Sequence, residues 1–325
     1  MVKAIRIHEH GGPQMLRYED VDPGKPGKGE VLIRHTAIGL NFIDCYFRTG
    51  LYPAPGGLPL ILGGEAAGEV IGLGEGVADL APGDRVAYTG GSGAYSQQRV
   101  MPADRLVKIP DGVSDEEAAA MMLKGMTVEY LLRRTYAVKP GDAVLYHAAA
   151  GGVGLIFGQW AKHLGVDVIG TAGSADKVEL AKTHGFAHVL NYRETDFVKA
   201  VADITGGRKC DVVYDSVGKD TFEGSLDCLK PRGMMVSFGQ SSGAVPPFSL
   251  GLLAQKGSLF VTRPTLFTYI AARADLEASA AALFDVVRSG AVKIRINQRY
   301  PLSEAAQAQA DLEGRRTTGA TVLIP

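Results

Sequence analysis

The spacing of hydrophobic positions changes near Pro140-Gly141. Before that point, short segments alternate apolar and polar residues and are separated by glycine and proline, as in Glu30–Leu40 and Glu65–Leu73. An alternation of period two is typical of strands with one buried face. The stretch from residue 3 to about residue 109 therefore predicts an all-β partial barrel.

A helix is predicted to follow this β-rich part. Ser114 and Glu117 have the spacing of a capping box, in which each residue satisfies a backbone amide of the other. Apolar positions then continue at helical spacing through Met122, Met126 and Leu131. We expect this helix to lead into the second part of the chain.

Past Gly141, buried strands alternate with amphipathic helices, which predicts a doubly wound parallel sheet of the Rossmann type. We predict six strands, at residues 143–147, 167–171, 188–191, 211–215, 234–238 and 259–262. After Arg263-Pro264 the pattern is different, with a helix at 271–288, a strand at 295–300, a helix at 303–314 and a strand at 321–324. We therefore expect one domain of residues 1–125 and 264–325, into which a Rossmann domain of residues 126–263 is inserted.

Composition restricts the function. The chain has 325 residues, 34 Lys plus Arg against 35 Asp plus Glu, and a formal net charge of -1, so no global field favours nucleic acid or an anionic membrane. Cys45, Cys210 and Cys228 are far apart, and the first residues enter a strand-like pattern without a signal core, which favours the cytoplasm. The uncharged stretch 143–161 contains four glycines and His147 and is interpreted as a buried strand and helix, not a membrane span.

A glycine-rich turn follows the strand at 143–147 and precedes a helix. Its residues are Ala150, Gly151, Gly152, Val153 and Gly154. The first glycines let the backbone approach a pyrophosphate, and Gly154 lets the helix pack closely on the strand. Because the amino terminus of the helix presents free amides to the anion, this turn predicts dinucleotide binding.

The end of the second strand favours NADPH over NADH. NAD enzymes usually carry a carboxylate there, which binds the ribose 2′-hydroxyl. This chain has Gly173 and Ser174 instead, followed by Lys177, so that a hydroxyl and a cation could receive a 2′-phosphate. The alternative is that Ser174 only caps a helix whose Lys177 faces water.

The motifs NFIDCYFRTGLY, LKGMTVEYLL, HAAAGGVG, GTAGSADK, YDSVG and VTRP resemble the zeta-crystallin-type quinone oxidoreductases of the medium-chain dehydrogenase/reductase superfamily, over essentially the whole chain. The resemblance implies an α/β protein with a GroES-like β-rich partial-barrel domain and an inserted doubly wound Rossmann domain. It also implies NADPH as cofactor, a quinone as substrate and a homodimer.

The resemblance also predicts that no metal is bound. In zinc alcohol dehydrogenases of the superfamily, a cysteine and a Gly-His-Glu motif supply ligands, and the matching positions here are Asn41 and Gly64. The three scattered cysteines cannot form a four-cysteine zinc lobe. Alcohol oxidation benefits from a metal that acidifies the hydroxyl, whereas a quinone needs mainly proximity and alignment.

The resemblance assigns roles to further residues. Asn41, Tyr46 and Tyr52 would line the substrate cleft beside the nicotinamide, with Arg263 at its mouth. The remaining cofactor contacts would be Thr127, Tyr192, Ser216, Val217, Gly218, Phe238, Gly239, Phe260, Val261 and Thr262. Taken singly, the two tyrosines could instead cover a domain seam, Phe238 and Phe260 could be core residues, and Arg263 could be a solvated linker residue.

Two other groups are interpreted as structural. Cys45 has no neighbouring histidine and is expected to be a packed thiol. His147 ends a buried strand and is expected to be a core group.

The first functional hypothesis is a metal-free NADPH:quinone oxidoreductase. The nearest alternative is an NADPH-dependent reductase of enone or alkenal double bonds, which would make a greater demand on a proton donor. A hypothesis of another class is an NADPH-binding sensor or nucleic-acid-binding protein, against which the near-zero net charge argues.

Overall fold

The computed structural model describes residues 1–325 in two compact units. The first unit comprises Met1–Met126, Ile270–Arg288 and Ile294–Pro325, and the second comprises Thr127–Tyr269 and Ser289–Lys293. The chain passes from one unit to the other within a helix and returns just before a second long helix. Most of the carboxy-terminal tail belongs to the first unit.

Sixteen strands and ten α-helices are present. The strands are β1 (Val2–Ile7), β2 (Arg17–Val21), β3 (Glu30–Leu40), β4 (Leu60–Ile61), β5 (Glu65–Leu73), β6 (Arg85–Thr89), β7 (Gln98–Pro102), β8 (Val107–Lys108), β9 (Val144–Tyr146), β10 (Val168–Ala172), β11 (His188–Asn191), β12 (Cys210–Asp215), β13 (Leu229–Ser237), β14 (Phe260–Thr262), β15 (Ile296–Pro301) and β16 (Ala320–Ile324). The helices are α1 (Phe42–Thr49), α2 (Asp115–Tyr130), α3 (Gly152–His163), α4 (Ala175–Lys182), α5 (Phe197–Ile204), α6 (Phe222–Asp227), α7 (Gly251–Gln255), α8 (Leu266–Tyr269), α9 (Arg273–Arg288) and α10 (Ala305–Glu313). None of the helices is long and apolar enough to cross a bilayer.

The first unit contains two sheets. One has three strands in the order β2-β1-β4, and the other has the order β15-β16-β3-β5-β6-β8, with β7 paired to β3. The central strand β3 alternates buried and more exposed positions in its first half, as the period-two pattern predicted. The last strand of the chain, β16, pairs with β3, so the tail completes this sheet.

The second unit is built on a six-stranded sheet in the order β11-β10-β9-β12-β13-β14, and every neighbouring pair is parallel. The predicted doubly wound sheet is thus confirmed. Its central strands β9, β10 and β12 are buried along their whole length. The strand order reverses between β9 and β12, which is the place where open α/β sheets bind ligands.

Elements differ from the predictions mainly at their ends. The capping box is present, because the Ser114 amide donates to Glu117 Oε2 at 3.0 Å and the Glu117 amide donates to Ser114 Oγ at 3.2 Å. The helix predicted at 271–288 begins at Arg273 and is preceded by the short α8. The strand predicted at 143–147 is shorter because Ala148, with φ of 61°, already belongs to the following turn.

Candidate functional site

The glycine-rich turn lies at the carboxyl end of β9, in the middle of the parallel sheet. Gly151 precedes the first turn of α3, and Ala150 is buried beneath it. A Cβ at Gly154 would lie 2.5 Å from the carbonyl oxygen of Ala149, so only glycine permits this approach of helix and strand. A Cβ at Gly151 would meet one atom, the Ala148 oxygen at 3.2 Å, which leaves this side of the turn open. The first amides of α3 therefore face the switch point of the sheet, as an anion site requires.

The end of β10 has the composition expected for a 2′-phosphate site. Ser174 occupies the N-cap position of α4, as the capping alternative requires, but its side chain makes no capping hydrogen bond. Lys177 lies in the first turn of the same helix, and the intervening Asp176 is exposed. A Cβ at Gly173 would lie 2.5 Å from the Tyr192 hydroxyl, so the tyrosine from the end of β11 closes over this glycine.

The loops after β12 and β13 are tied to each other. The amides of Ser241 and Ser242 donate to the carbonyl oxygens of Ser216 and Val217, at 3.1 and 2.9 Å. A Cβ at Gly239 would lie 2.8 Å from the Ser216 oxygen. The two predicted contact loops, 216–218 and 238–239, therefore form one surface beside the glycine-rich turn.

Asp215 stabilises the first of these loops, 216–218, by hydrogen bonds. The sequence analysis did not predict this role. Its Oδ1 accepts hydrogen bonds from the amides of Val217 at 2.7 Å and Gly218 at 3.0 Å, and the residue is fully buried. Its Oδ2 accepts from the hydroxyls of Thr221 at 2.7 Å and Ser225 at 2.8 Å. A carboxylate directly after the apolar run 212–214, at the end of a buried strand, was the signal that could have identified it.

His147 extends the Asp215 network and is a core group, as predicted, with 1% exposure. Its Nε2 lies 3.0 Å from Ser225 Oγ, and its Nδ1 lies 2.9 Å from Thr171 Oγ1. Because the single hydroxyl proton of Ser225 is donated to Asp215, Nε2 carries the imidazole proton and Nδ1 accepts from Thr171. Burial lowers the pKa of His147, partly offset by the Asp215 charge, so the ring is neutral.

The other predicted cofactor contacts lie farther along the second unit. Thr127 is buried in α2, and Phe238 is half-buried, with its ring 5.9 Å from that of Tyr146. Val261 and Thr262 lie in β14, the last strand of the sheet, together with Phe260, which is 58% exposed and is therefore not a core residue. The register pairs Phe260 with Met234, well before the carboxyl end of β13.

Arg263 follows β14 and is exposed, but it is not a free linker residue. Its Nη1 donates to the carbonyl oxygen of Ser237 at 3.2 Å. Since Ser237 is the last residue of β13, the guanidinium lies at the carboxyl edge of the sheet. Arg263 belongs to the second unit, whereas Asn41, Tyr46 and Tyr52 belong to the first.

The predicted substrate residues of the first unit are grouped around α1. Asn41 immediately precedes the helix, and Tyr46 lies in it. The rings of Tyr46 and Tyr52 are 5.2 Å apart in an edge-on arrangement, and the Tyr52 amide donates to the Tyr46 carbonyl at 3.1 Å. Burial raises the pKa of the neighbouring Cys45 thiol, in agreement with a packed, unreactive cysteine.

A buried ion pair beside Asn41 was not predicted. Glu65 Oε2 accepts from Asn41 Nδ2 at 2.7 Å and from Lys124 Nζ at 3.1 Å, while Glu65 Oε1 accepts from the Leu123 amide at 2.7 Å. Glu65 is 0% exposed and Lys124 is 5% exposed. Glu65 and Lys124 are 59 positions apart, and no spacing rule predicts a contact over that distance. In each segment, however, a charged residue inside an apolar run could have indicated a buried charge.

These residues do not form a zinc site. No group of three or more His, Cys, Asp or Glu side chains is arranged to hold a metal ion. At the predicted ligand positions, Asn41 and Gly64 replace the superfamily's cysteine and histidine, and an ammonium group is bound to the adjacent carboxylate. The donor set thus lacks the nitrogen and sulfur ligands that zinc requires.

Comparisons with known proteins cover the whole chain. Residues 27–111 match the alcohol dehydrogenase GroES-like domain, and residues 152–283 match the zinc-binding dehydrogenase family. A quinone oxidoreductase of Pseudomonas aeruginosa is 54% identical over 100% of both chains, and a 2-haloacrylate reductase of a Burkholderia species is 47% identical over 100% of this chain and 99% of the other. The crystal structure of Escherichia coli quinone oxidoreductase complexed with NADPH superimposes with a TM-score of 0.98 at 51% identity, covering 99% of this chain and 100% of the other.

These matches confirm the predicted GroES-like and Rossmann-type architecture and the predicted resemblance. The protein belongs to the quinone oxidoreductase family of the medium-chain dehydrogenase/reductase superfamily.

Proposed function

We propose that this protein is an NADPH-dependent quinone reductase that transfers a hydride directly to the quinone. The observation that carries the proposal is the dinucleotide-binding edge of the second unit, where the glycine-rich turn meets the loops after β10, β12 and β13. The relative from Escherichia coli, whose structure contains NADPH, has the same fold at a TM-score of 0.98.

Different residues of this edge bind different parts of NADPH. The amides at the start of α3 receive the pyrophosphate, and Ser174, Lys177 and Tyr192 surround the 2′-phosphate. Loops 216–218 and 238–239 support the rest of the dinucleotide, with Thr127 and the residues of β14 as further contacts, and Arg263 is assigned to the mouth of the substrate cleft. When bound, NADPH supplies the hydride.

The first unit supplies the substrate side. Asn41, Tyr46 and Tyr52 bind and align the quinone ring for hydride transfer, which is the main requirement of this reaction. The resulting hydroquinone anion takes its proton from water, so that no acidic side chain is needed. We assign residues 1–125 and 264–325 to this catalytic domain and residues 126–263 to cofactor binding.

We further propose that the protein is a cytoplasmic homodimer. All three cysteines are unpaired, which suits a reducing compartment. The edge strand β14 carries the exposed Phe260, and Leu250 before α7 is 77% exposed, so a second copy could extend the sheet at this edge. Light scattering of the purified protein measures this assembly, and a monomeric mass would contradict it.

Reduction of activated carbon–carbon double bonds is the second candidate function. It is favoured by the 47% identity to a 2-haloacrylate reductase over the full chain. Such substrates also accept a hydride, but the α-carbon must then receive a proton.

A substrate panel tests the proposed function. We expect NADPH oxidation, followed optically, to be fastest with quinones, slower with enones and absent with simple aldehydes, and NADPH to be preferred over NADH. Treatment with a chelator should leave the rate unchanged. Loss of activity on chelation, or a preference for enones over every quinone, would contradict the proposal.

The tyrosines distinguish the two candidates. In Tyr46→Phe and Tyr52→Phe, we expect enone reduction to fall by about tenfold or more, because a proton donor near the α-carbon is lost, whereas quinone reduction changes less than about threefold. Steady-state rates with one enone and one quinone measure this difference. Equal losses with both substrates would show that the hydroxyls do not serve as proton donors.

A further inference from the structure

Lys124 is a buried cation whose hydrogen-bonding capacity is mostly unused. The residue is 5% exposed, and its Nζ has Glu65 Oε2, at 3.1 Å, as its one acceptor in the protein. An ammonium group has three donors, and buried polar groups are normally satisfied by a partner. Two N–H donors of Lys124 are therefore available to a group from outside the protein.

The surroundings are built to hold this cation. Glu65 is fully buried and fixed from its other oxygen by the Leu123 amide, so it cannot follow Lys124 if the lysine moves. A Cβ at Gly39 would lie 2.3 Å from Glu65 Oε2 and 2.2 Å from the Ala119 carbonyl oxygen, so glycine is needed to leave room for the carboxylate. Gly125, the residue after Lys124, also has to be glycine, because α2 packs closely against Leu283 of α9 at this position.

The cation is also next to the residues assigned to the reaction. Lys124 and Asn41 bind the same oxygen of Glu65, and Asn41 is the proposed substrate residue. Thr127, a proposed cofactor contact, follows Lys124 by three positions in α2, a spacing that places two side chains on one side of a helix.

We propose that the Lys124 ammonium donates to the substrate oxygen on which negative charge develops during hydride transfer. This inference rests on the proposed function. Hydride addition delivers two electrons and one proton equivalent to the quinone, and the remaining charge resides on an oxygen as the hydroquinone anion. Lys124 stabilises this oxyanion, and Glu65 holds the ammonium in place; the second proton then comes from water. The preferred substrates are therefore those in which a conjugated carbonyl oxygen takes up the charge.

Neutral variants test the role of the charge. Lys124→Met keeps the length of the side chain but leaves Glu65 without its counterion, so the double variant Glu65→Gln/Lys124→Met is compared with it. We expect the rate of hydride transfer in single turnovers to fall by about 100- to 1,000-fold, the usual effect of removing an oxyanion donor, with NADPH affinity changed less than about twofold. Lys124→Arg should recover part of the loss. Lys182→Met, which breaks an exposed lysine–glutamate pair, is the matched control.

A series of substituted benzoquinones separates an electrostatic from a structural role. If Lys124 stabilises the oxyanion, the ratio of wild-type to variant rates rises with the basicity of the hydroquinone anion. A loss of the same factor for every quinone, or no loss, would overturn the proposal. Wild-type protein that reduces no quinone would refute the proposed function instead.

A measurement on the wild-type protein needs no variant. 4-Nitrophenolate imitates the phenolic oxyanion, and its ionisation is visible in absorbance. In the complex with NADP⁺, we expect the pKa of bound 4-nitrophenol to be lower than in water, because the ammonium favours the anion. An unchanged or raised pKa of the bound phenol would overturn the proposal even if the neutral variants do not fold.

Discussion

Replacing Asp215 with alanine is expected to lower the free energy of unfolding by about 3–5 kcal/mol and to weaken NADPH binding by about tenfold or more. The carboxylate is fully buried and accepts four hydrogen bonds, two of them from the backbone of the loop that follows β12. Alanine leaves the amides of Val217 and Gly218 without an acceptor in the interior. Urea unfolding and NADPH fluorescence titration measure the two effects.

Asp215→Asn is the matched control, because its network can be reversed. The asparagine oxygen can still accept from the two loop amides, while its NH₂ group donates to Ser225. The Ser225 hydroxyl then donates to His147 Nε2, and the imidazole proton moves to Nδ1, which faces Thr171. We expect a loss of less than about 1.5 kcal/mol in this variant. Equal destabilisation by both substitutions would show that charge, and not the pattern of donors and acceptors, stabilises the loop.

The sequence was most informative where structure is determined by neighbouring residues. The strand, turn and helix around Gly154 were predictable because the apolar run, the glycines and the helical spacing are contiguous. The reversal of strand order between β9 and β12 is a general property of doubly wound sheets, so the position of the turn at the sheet centre followed as well. The capping box at Ser114 is local in the same way.

The sequence was least informative where distant segments meet. Glu65 and Lys124 are brought together by the packing of β5 against α2, and no spacing predicts that contact. The role of Asp215 depends on the path of the chain after its strand, which the apolar pattern does not contain. Phe260 shows the converse: it was predicted as a cofactor contact with a core position as the alternative, and because β14 is at the edge of the sheet, where Phe260 is 58% exposed, the core alternative is wrong.

Asp44 is expected to make the first unit less stable as the pH rises from about 4 to about 7. The carboxyl group is buried, and this burial raises its pKa to about 7, although the Asn41 amide and the Tyr95 hydroxyl donate to Oδ2, each at 2.9 Å, and Lys124 also favours the anion. Glu65 opposes ionisation. The folded state therefore binds more protons than the unfolded state, whose aspartate pKa is near 3.8, and stability decreases with pH through this interval.

Asp44→Asn should remove this pH dependence, because an asparagine oxygen can accept from both donors without ionising. At pH 8 we expect the free energy of unfolding of the variant to exceed that of wild type by up to about 4 kcal/mol. At pH 5 we expect this difference to be smaller by about 2 kcal/mol. Urea unfolding at the two pH values measures the difference, with the exposed Asp111→Asn as the control. If Asp44→Asn is instead less stable than wild type at pH 8, the folded protein favours the ionised carboxylate and the pKa of Asp44 is not raised, so the charge of Lys124 then compensates two buried acids, Asp44 as well as Glu65.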